Sequence, residues 1–447
     1  MVIEIFRNPE KYNKKQITLK GWVETFRSNK KIGFIELNDG SSVKNIQLVI
    51  KSDNKDFAIL DELSIGSSIK VTGVIKHTPN SKQEFELVVD ELKILKLAHK
   101  DYPIQKQLMN LETLREIPHV RHRTKYLRSV MLIRSSLSQN IHKYFTLKSF
   151  LNVHSPIITS NDGEGAGETF KVSSEAIENF FGNKKATLGV TGQLHAESYA
   201  LGFGKVYTFA PTFRAENSNT KKHLAEFWMM EPEMAFYDLH ETIQLADDML
   251  KTVIKETLED RKFEFEYLNE KSEGQLLEKI NTYLNNELVK LDYSKAIEIL
   301  KKYSDKFINN DLHFGVDLAT EHERFICEEV IKGPVAIINY PKDIKAFYMH
   351  QNEDGKTVAA FDLLVPGIGE MIGGSQRECD YDKLLNRVTQ LGIDKEDLDW
   401  YLNLRRWGDV QSSGFGLGFE RLVMYVTGAE NIRDTIPYPR TVNNLRM

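Results

Sequence analysis

Two stretches of this 447-residue chain carry side chains of the right type and spacing for chemistry on a charged substrate. The first is Val206–Phe236, VYTFAPTFRAENSNTKKHLAEFWMMEPEMAF, two β-like runs around the polar segment Glu216–His223. Read as a hairpin with a long loop, its period of two puts Arg214 and Glu216 on one face of the first strand. The same period puts Glu231 and Glu233 on one face of the second, so a cation and carboxylates converge on a sheet surface. That surface suits a polyanion bearing an ammonium group, although an edge hairpin with solvated ion pairs would show the same pattern. The second stretch is Ser413–Val426, SGFGLGFERLVMYV, a glycine-rich strand passing into an amphipathic helix that opens with Glu420 and Arg421. Alternating glycines let a planar base lie close to Gly416 and Gly418 while Arg421 reaches a phosphate. Tight packing of helix on strand accounts for the glycines equally well.

The elements that must position these residues form two groups. From Gln16 to about Leu97 the chain alternates in short β-rich runs (ITLKGWVETF, KIGFIELNDG, KNIQLVI, SIKVTGVIKH, EFELVVDELKIL) separated by turn residues. Five such strands predict a small closed barrel of the OB type, whose face and loops bind single-stranded nucleic acid or serve only protein contacts. A charged stretch with Pro103 and Pro118 then leads into a helical pattern, YLRSVMLIRSSLSQNIHKYF, which sets a domain boundary near residue 105. Beyond it, strands (KVYTFAPTFRAE, AEFWMMEPEMAF, AAFDLLVP, GFGLGF) interleave with helices such as LHETIQLADDMLKTVIKETLED. This predicts a multidomain α+β protein: residues 1–104 as the barrel, 105–127 as a linker, and 128–447 as a domain built on an antiparallel sheet flanked by helices. Residues 270–306 read as an insertion or a solvated helical pair.

Composition narrows the classes. The chain is 41% hydrophobic with a formal net charge of -5. It therefore fits a soluble globular protein that would bind nucleic acid through a local patch rather than by overall charge. Charges interrupt every apolar run of the N-terminus, MVIEIFRNPEKYNKKQ, so neither a signal peptide nor a membrane segment is expected and the address is cytoplasmic. Cys327 and Cys379, the only cysteines, lie far apart and suggest neither a disulfide nor a zinc site.

Three segments in order, FLNVHSPIIT, FRAENSNTKKHLAEF and GLGFERL, resemble the three motifs of class II aminoacyl-tRNA synthetases. An N-terminal OB-fold before such a catalytic domain is the architecture of the aspartate, asparagine and lysine subgroup, so the resemblance covers nearly the whole chain. Within the subgroup, VTGQLHAE, EFWMMEPEMAF, GEMIGGSQRE and NIRDTIPYPR resemble the bacterial-type asparaginyl enzymes. The aspartyl enzymes carry a lysine three residues after the glutamine of an SPQ segment; here Gln193 is followed at that spacing by Ala196. Losing that cation favours a neutral amide over a carboxylate substrate. Arg377 argues against the lysyl enzymes.

The resemblance implies ATP-dependent activation of asparagine to an adenylate, transfer to the 3′-terminal adenosine of tRNA(Asn), Mg²⁺ as cofactor, and a homodimer with Pro156 at its interface. It implies Arg214 at the α-phosphate, Glu216 at the adenine amino group, His223 and Arg421 at the terminal phosphates, and Gly418 beneath the nucleotide. Asp362 and Glu370 would hold Mg²⁺, although their spacing departs by one residue from the aspartyl pattern. Glu164 would meet the α-ammonium with Gln193 nearby, Glu231 would sit near the substrate amide, and Arg377 would donate to its carbonyl oxygen. Asn217, Lys221 and Lys222 would face the tRNA acceptor end. On the barrel, Phe34 would stack an anticodon base, with Arg27, Gln47 and Glu86 reading base edges. His195 has no companions for chemistry. The alternatives are an aspartyl enzyme, a relative that binds nucleotide or RNA without charging tRNA, and an asparagine-releasing synthetase, which the barrel disfavours.

Overall fold

The computed structural model describes residues 1–79, 83–107, 109–160, 168–182, 184–218 and 220–447. Contacts gather the chain into two compact units, residues 1–133 with 261–271, and residues 134–260 with 272–447.

The first unit holds a closed barrel of β1 (Gln16–Ser28), β2 (Ile32–Asn38), β3 (Ile46–Lys51), β4 (Ser68–His77) and β5 (Phe85–Lys96), in the order β1-β2-β3-β5-β4. Strand alternation sorts side chains as the sequence pattern predicts. Leu19, Val23, Ile35, Leu37, Leu48, Ile50, Val71 and Leu87 fill the interior, and the residues between them point outward. The barrel closes tightly at Gly73, where a Cβ would lie 2.1 Å from the Val88 carbonyl oxygen, beside a bulge in the β4–β5 pairing. The helix Lys262–Lys271, distant in sequence, belongs to this unit. Its Glu264 is buried and accepts hydrogen bonds from Ser42 Oγ at 2.7 Å and the Val43 amide at 2.8 Å.

The second unit is built on an eight-stranded sheet of β6 (Leu151–Asn152), β9 (Lys205–Phe213), β10 (Glu226–Ala235), β11 (Val289–Asp292), β12 (Val335–Pro341), β13 (Thr357–Val365), β14 (Gly369–Gln376) and β15 (Ser412–Gly418). The order is β11-β12-β13-β14-β15-β10-β9-β6, and a separate pair joins β7 (Ile158–Thr159) to β8 (Thr187–Leu188). The expected antiparallel sheet is antiparallel only in its middle. At its two ends β11 runs parallel to β12 and β6 parallel to β9, because each of these edge strands arrives through a long connection rather than a hairpin. The helix Leu239–Asp260 buries its apolar stripe, Ile243, Ala246, Met249, Leu250 and Val253, and packs on β13, β14 and β15. Asn140, on the helix Lys125–Leu147, donates to Thr257 Oγ1 of that stripe's helix at 3.0 Å.

Two expectations change. The stretch around 270–306 is not a solvated helical pair. It supplies β11 and buries Leu276, Ile280, Tyr283, Tyr293, Ile297 and Leu300, so its charges cover one face of helices whose other face is core. Strand β9 ends at Phe213, so Arg214 and Glu216 lie in the loop beyond it, where the period of two no longer sets their direction. Among the described residues no helix is long and apolar enough to cross a membrane.

Replacing Glu264 by Ala removes a buried acceptor from Ser42 Oγ and Val43 N–H, at a cost of about 1–3 kcal/mol. We expect faster hydrogen exchange at the Val43 amide, measured by mass spectrometry on the full chain.

Candidate active site

The centre of the sheet in the second unit is where the candidate residues meet. Strand β15 lies between β14 and β10 and is lined by glycines on one face. Gly414 pairs with Ser375 on one side and Glu233 on the other, and Gly416 pairs with Gly373. A Cβ on Gly414 would sit 2.2 Å from a carboxylate oxygen of Glu233, so the missing side chain is what lets that carboxylate lie across the strand. There it meets Arg377, which follows β14. Arg377 Nε donates to Glu233 Oε2 at 3.1 Å, Nη2 donates to Oε1, and Nη1 donates to Ser375 Oγ at 2.7 Å. Both partners are buried, at 2% and 0% exposure. Burial alone would lower the pKa of Arg377; the Glu233 carboxylate overrides it and raises the pKa, so the guanidinium stays charged.

Beside this pair, the buried carboxylate of Glu231 accepts hydrogen bonds from the Gly192 amide at 2.9 Å and from Thr191 Oγ1. The same Thr191 oxygen receives the Gln193 amide at 3.0 Å, at the first residue of the helix Gln193–Phe203. The side-chain nitrogen of Gln193 is buried and has no partner among the described residues, as a donor held for a ligand would be. Gln193, Glu231 and Arg377 are thus brought to one place, while Glu164 lies outside the described residues. Ala196 is fully buried one turn along the helix, and His195 stacks on Trp400 at 5.3 Å.

A second cluster carries opposite charges. On the helix Phe419–Thr427, Arg421 Nη1 donates to the Glu370 carbonyl oxygen at 3.0 Å and to its carboxylate at 3.3 Å. A Cβ on Gly373 would lie 3.1 Å from Glu370 Oε1 and 3.4 Å from Asp362 Oδ1, so both carboxylates flank this glycine. The β13–β14 pairing that carries Asp362 and Glu370 shifts register between Leu363 and Leu364. Lys345 donates to Asp362 Oδ2 at 2.8 Å, which leaves Oδ1 on the Glu370 side. This oxygen-only donor set fits Mg²⁺, which binds through one or two carboxylates and takes further oxygens from water and phosphate. Among the described residues, no group of three or more metal-ligating side chains already forms a cage. Glu323 adds a third acid: its Oε2 accepts the Glu370 amide at 3.1 Å, and burial, then Glu370, pushes its pKa up to about 7.

Arg214 lies over the Phe227 ring at 5.5 Å and its backbone amide donates to the Ala225 carbonyl oxygen. Glu216, Asn217 and Lys221 are exposed in the loop that follows β9, and His223 Nδ1 is 2.5 Å from Thr220 Oγ1. Lys222 reaches the Ile368 carbonyl oxygen at 3.3 Å. Burial, then the charge of Arg421, lowers its pKa, so the two cations lie close enough to act on one another. Gly418 caps the helix that carries Arg421.

In the first unit, the candidate residues line up across the barrel's outer face. Phe34 is half-buried and lies outside the barrel core, with the Arg27 guanidinium 4.9 Å from its ring centre. Glu36 pairs with Gln47, and Gln47 pairs with Glu86 and donates to its carboxylate at 2.9 Å. An aromatic ring, a cation and amide and carboxylate groups therefore share one surface. A cavity of about 740 Å³ in this unit, walled by Trp22, Tyr102, Arg123 and Met131 among others, includes none of the candidate residues.

Sequence reasoning missed Lys345, Glu323, Thr191, Phe227 and the Glu233 partner of Arg377. Phe227, Glu233 and Thr191 lay in stretches already singled out; Lys345 and Glu323 come from other segments of the chain.

The family described as class II tRNA synthetases (D, K and N) matches residues 110–442, and that of OB-fold nucleic acid binding domains matches residues 17–95. The asparagine–tRNA ligase of Mycoplasma mobile is 59% identical, over 98% of each chain. That of Mycoplasmopsis pulmonis is 57% identical, over 100% of this chain and 99% of its own. Among solved structures, the asparaginyl-tRNA synthetase of Pyrococcus horikoshii complexed with asparaginyl-adenylate superposes with a TM-score of 0.86 at 33% identity, over 97% of each chain.

Glu233→Met should strand the Arg377 charge in the interior and destabilise the second unit by about 3–5 kcal/mol. Glu233→Met combined with Arg377→Leu should recover part of that loss, as read by thermal denaturation of the three proteins.

Proposed function

The chain belongs to the class II tRNA synthetases of the aspartate, lysine and asparagine group, and from that premise we propose that it activates asparagine with ATP and loads it onto tRNA(Asn). One observation carries the choice of amino acid. The buried guanidinium of Arg377 is already balanced by Glu233, and a further carboxylate, Glu231, stands beside it. A substrate carboxylate would bring a third negative charge into that space, whereas an amide can donate to Glu231 and accept from Arg377. The buried, unpartnered Gln193 amide suits the α-amino-acid end, and relatives at 57–59% identity are asparagine–tRNA ligases.

In the first step the asparagine carboxylate attacks the α-phosphorus of ATP in line, and pyrophosphate leaves with the electron pair of the broken P–O bond. No enzyme group bonds covalently to the substrate, so the protein acts by positioning and by stabilising charge. Arg214 faces the α-phosphate, Arg421 and His223 the terminal phosphates, and Glu216 the adenine amino group, with Gly416 and Gly418 clearing room for the nucleotide. Asp362 and Glu370 would hold Mg²⁺, which offsets phosphate charge when bound. Glu164 holds the α-ammonium, with Gln193 nearby. In the second step the 3′-hydroxyl of the terminal adenosine attacks the adenylate carbonyl and AMP leaves; Asn217, Lys221 and Lys222 meet the acceptor end.

On the barrel, Phe34 stacks an anticodon base while Arg27, Gln47 and Glu86 read base edges. We also propose a barrel domain over 1–104, a linker over 105–127, a catalytic domain over 128–447, a cytoplasmic location and a homodimer. The last is supported by Leu151, Ile157 and Ile158, which lie 43–45% exposed in the FLNVHSPIIT segment.

The test is ATP–pyrophosphate exchange without tRNA, comparing asparagine, aspartate and lysine in the presence and absence of Mg²⁺. Exchange with asparagine and Mg²⁺ is expected, and exchange mainly with aspartate, or with none of the three, overturns the reading. Arg421→Ala should lower kcat by about 10²–10³-fold. Phe34→Ala should leave exchange intact and weaken tRNA binding by about 1–3 kcal/mol, measured by filter binding.

A further inference from the structure

Behind the phosphate-side cations lies a buried ion pair that none of the roles above uses. Glu420, immediately before Arg421 in the first turn of its helix, is 1% exposed. One carboxylate oxygen accepts the Trp228 backbone amide of β10 at 2.8 Å; the other lies 2.6 Å from Arg134 Nη2. Arg134, on the helix Lys125–Leu147, donates through Nη1 to the Thr435 carbonyl oxygen at 3.0 Å, and its guanidinium lies 4.6 Å from the Phe419 ring centre. One carboxylate, with Arg134, therefore ties together the start of the Arg421 helix, the beginning of β10 and the segment around Thr435.

One tie ends next to Arg421, one next to the ring beneath Arg214, and the third leads through an apolar cluster towards His223. Arg421 follows Glu420 directly. Phe227, whose ring lies under Arg214, precedes Trp228. Ile436, next to Thr435, packs with Leu224 and Ile432 in a small apolar cluster that includes Phe227 and Trp228, and Leu224 follows His223. Because a helix turn and a strand are stiff, fixing Glu420 fixes the gap between Arg214 and Arg421. Resting on the reading of these two arginines as phosphate ligands, we propose that Arg134 and Glu420 are positioning residues that set the span of the triphosphate site. They touch neither asparagine nor the reacting atoms. Removing the Arg134 charge leaves Glu420 buried and unpaired, and removing the Glu420 charge leaves the largely covered Arg134 without its carboxylate. The local backbone must then shift to rehydrate the remaining charge, and a shift of this kind changes the distance between the two phosphate cations.

The test uses Glu420→Gln, which keeps the shape and the acceptor for Trp228 but loses the charge, together with Arg134→Gln and Arg134→Lys. In asparagine-dependent exchange, Glu420→Gln and Arg134→Gln should raise KM for ATP about tenfold, leave KM for asparagine within about twofold, and lower kcat less than they raise KM. Arg134→Lys should restore most of the ATP affinity. In calorimetry on the full chain, ATP affinity should fall and AMP affinity should hold, since AMP does not span both cations. Equal losses for ATP and AMP, an unchanged KM for ATP, or KM values for ATP and asparagine that rise together would overturn the proposal. Absence of asparagine-dependent exchange in the unmutated protein would instead defeat the functional reading, while the ATP-against-AMP comparison would still decide the positioning role.

Discussion

The bond between Arg377 and Glu233 constrains most of what surrounds it. Two charges with almost no solvent contact persist only if each meets the other in good geometry, because the desolvation of either alone exceeds what the rest of the site returns. Good geometry here means a flat carboxylate across β15, and that is possible only because Gly414 has no side chain. The glycine in turn depends on β15 sitting between β14 and β10, the strands that bring Arg377 and Glu233 within reach. The central antiparallel order of the sheet is thus coupled to a single charge pair, and the net charge of the amino-acid pocket follows from it.

That coupling explains which parts were legible in the sequence. The barrel strands were readable because apolar and polar residues alternate with period two, and Ile35 and Leu37 face in while Phe34 and Glu36 face out, as alternation requires. The glycine-rich strand and the helix of Arg421 were readable because glycine spacing and amphipathicity are local signals. The parallel edges β6 and β11 were not, since a two- to four-residue strand carries too few positions to show a period and its direction depends on where a distant connection returns it. Arg214 and Glu216 show the limit of the period argument within one segment. They continue the pattern of β9 in sequence, but the strand ends at Phe213, and beyond the Arg214 amide, which still reaches the Ala225 carbonyl oxygen, the alternation no longer directs the side chains.

Partners were harder to read than candidates. Arg377 and Glu233 were each visible as charged residues in suggestive segments, yet 144 positions separate them, and nothing local says that one will neutralise the other. Lys345 and Asp362 are closer in sequence, but their contact depends on a turn between β12 and β13 that places the lysine against the Tyr340 ring at 3.9 Å. The unusual spacing of Asp362 and Glu370 looked like a defect in a ligand pair. The strand pairing shifts register between Leu363 and Leu364, and both carboxylates still flank Gly373.

The acids around Gly373 and the cations around Arg421 show how such a surface stays folded before any ligand arrives. Asp362, Glu370 and Glu323 crowd one another, which by itself would be costly, and each is offset differently: Asp362 by Lys345, Glu370 by Arg421, and Glu323 by a shift of its pKa to about 7. The Glu370–Arg421 contact is the weakest of these, over a third exposed on both sides, and an ion pair in that environment contributes little. On the proposed reading it is the one that a triphosphate and its counter-ion would replace at low cost, with Arg421 passing to phosphate and Glu370 to a cation. The buried pairs, Arg377 with Glu233 and Arg134 with Glu420, have no such exposure and so hold the frame within which that exchange occurs.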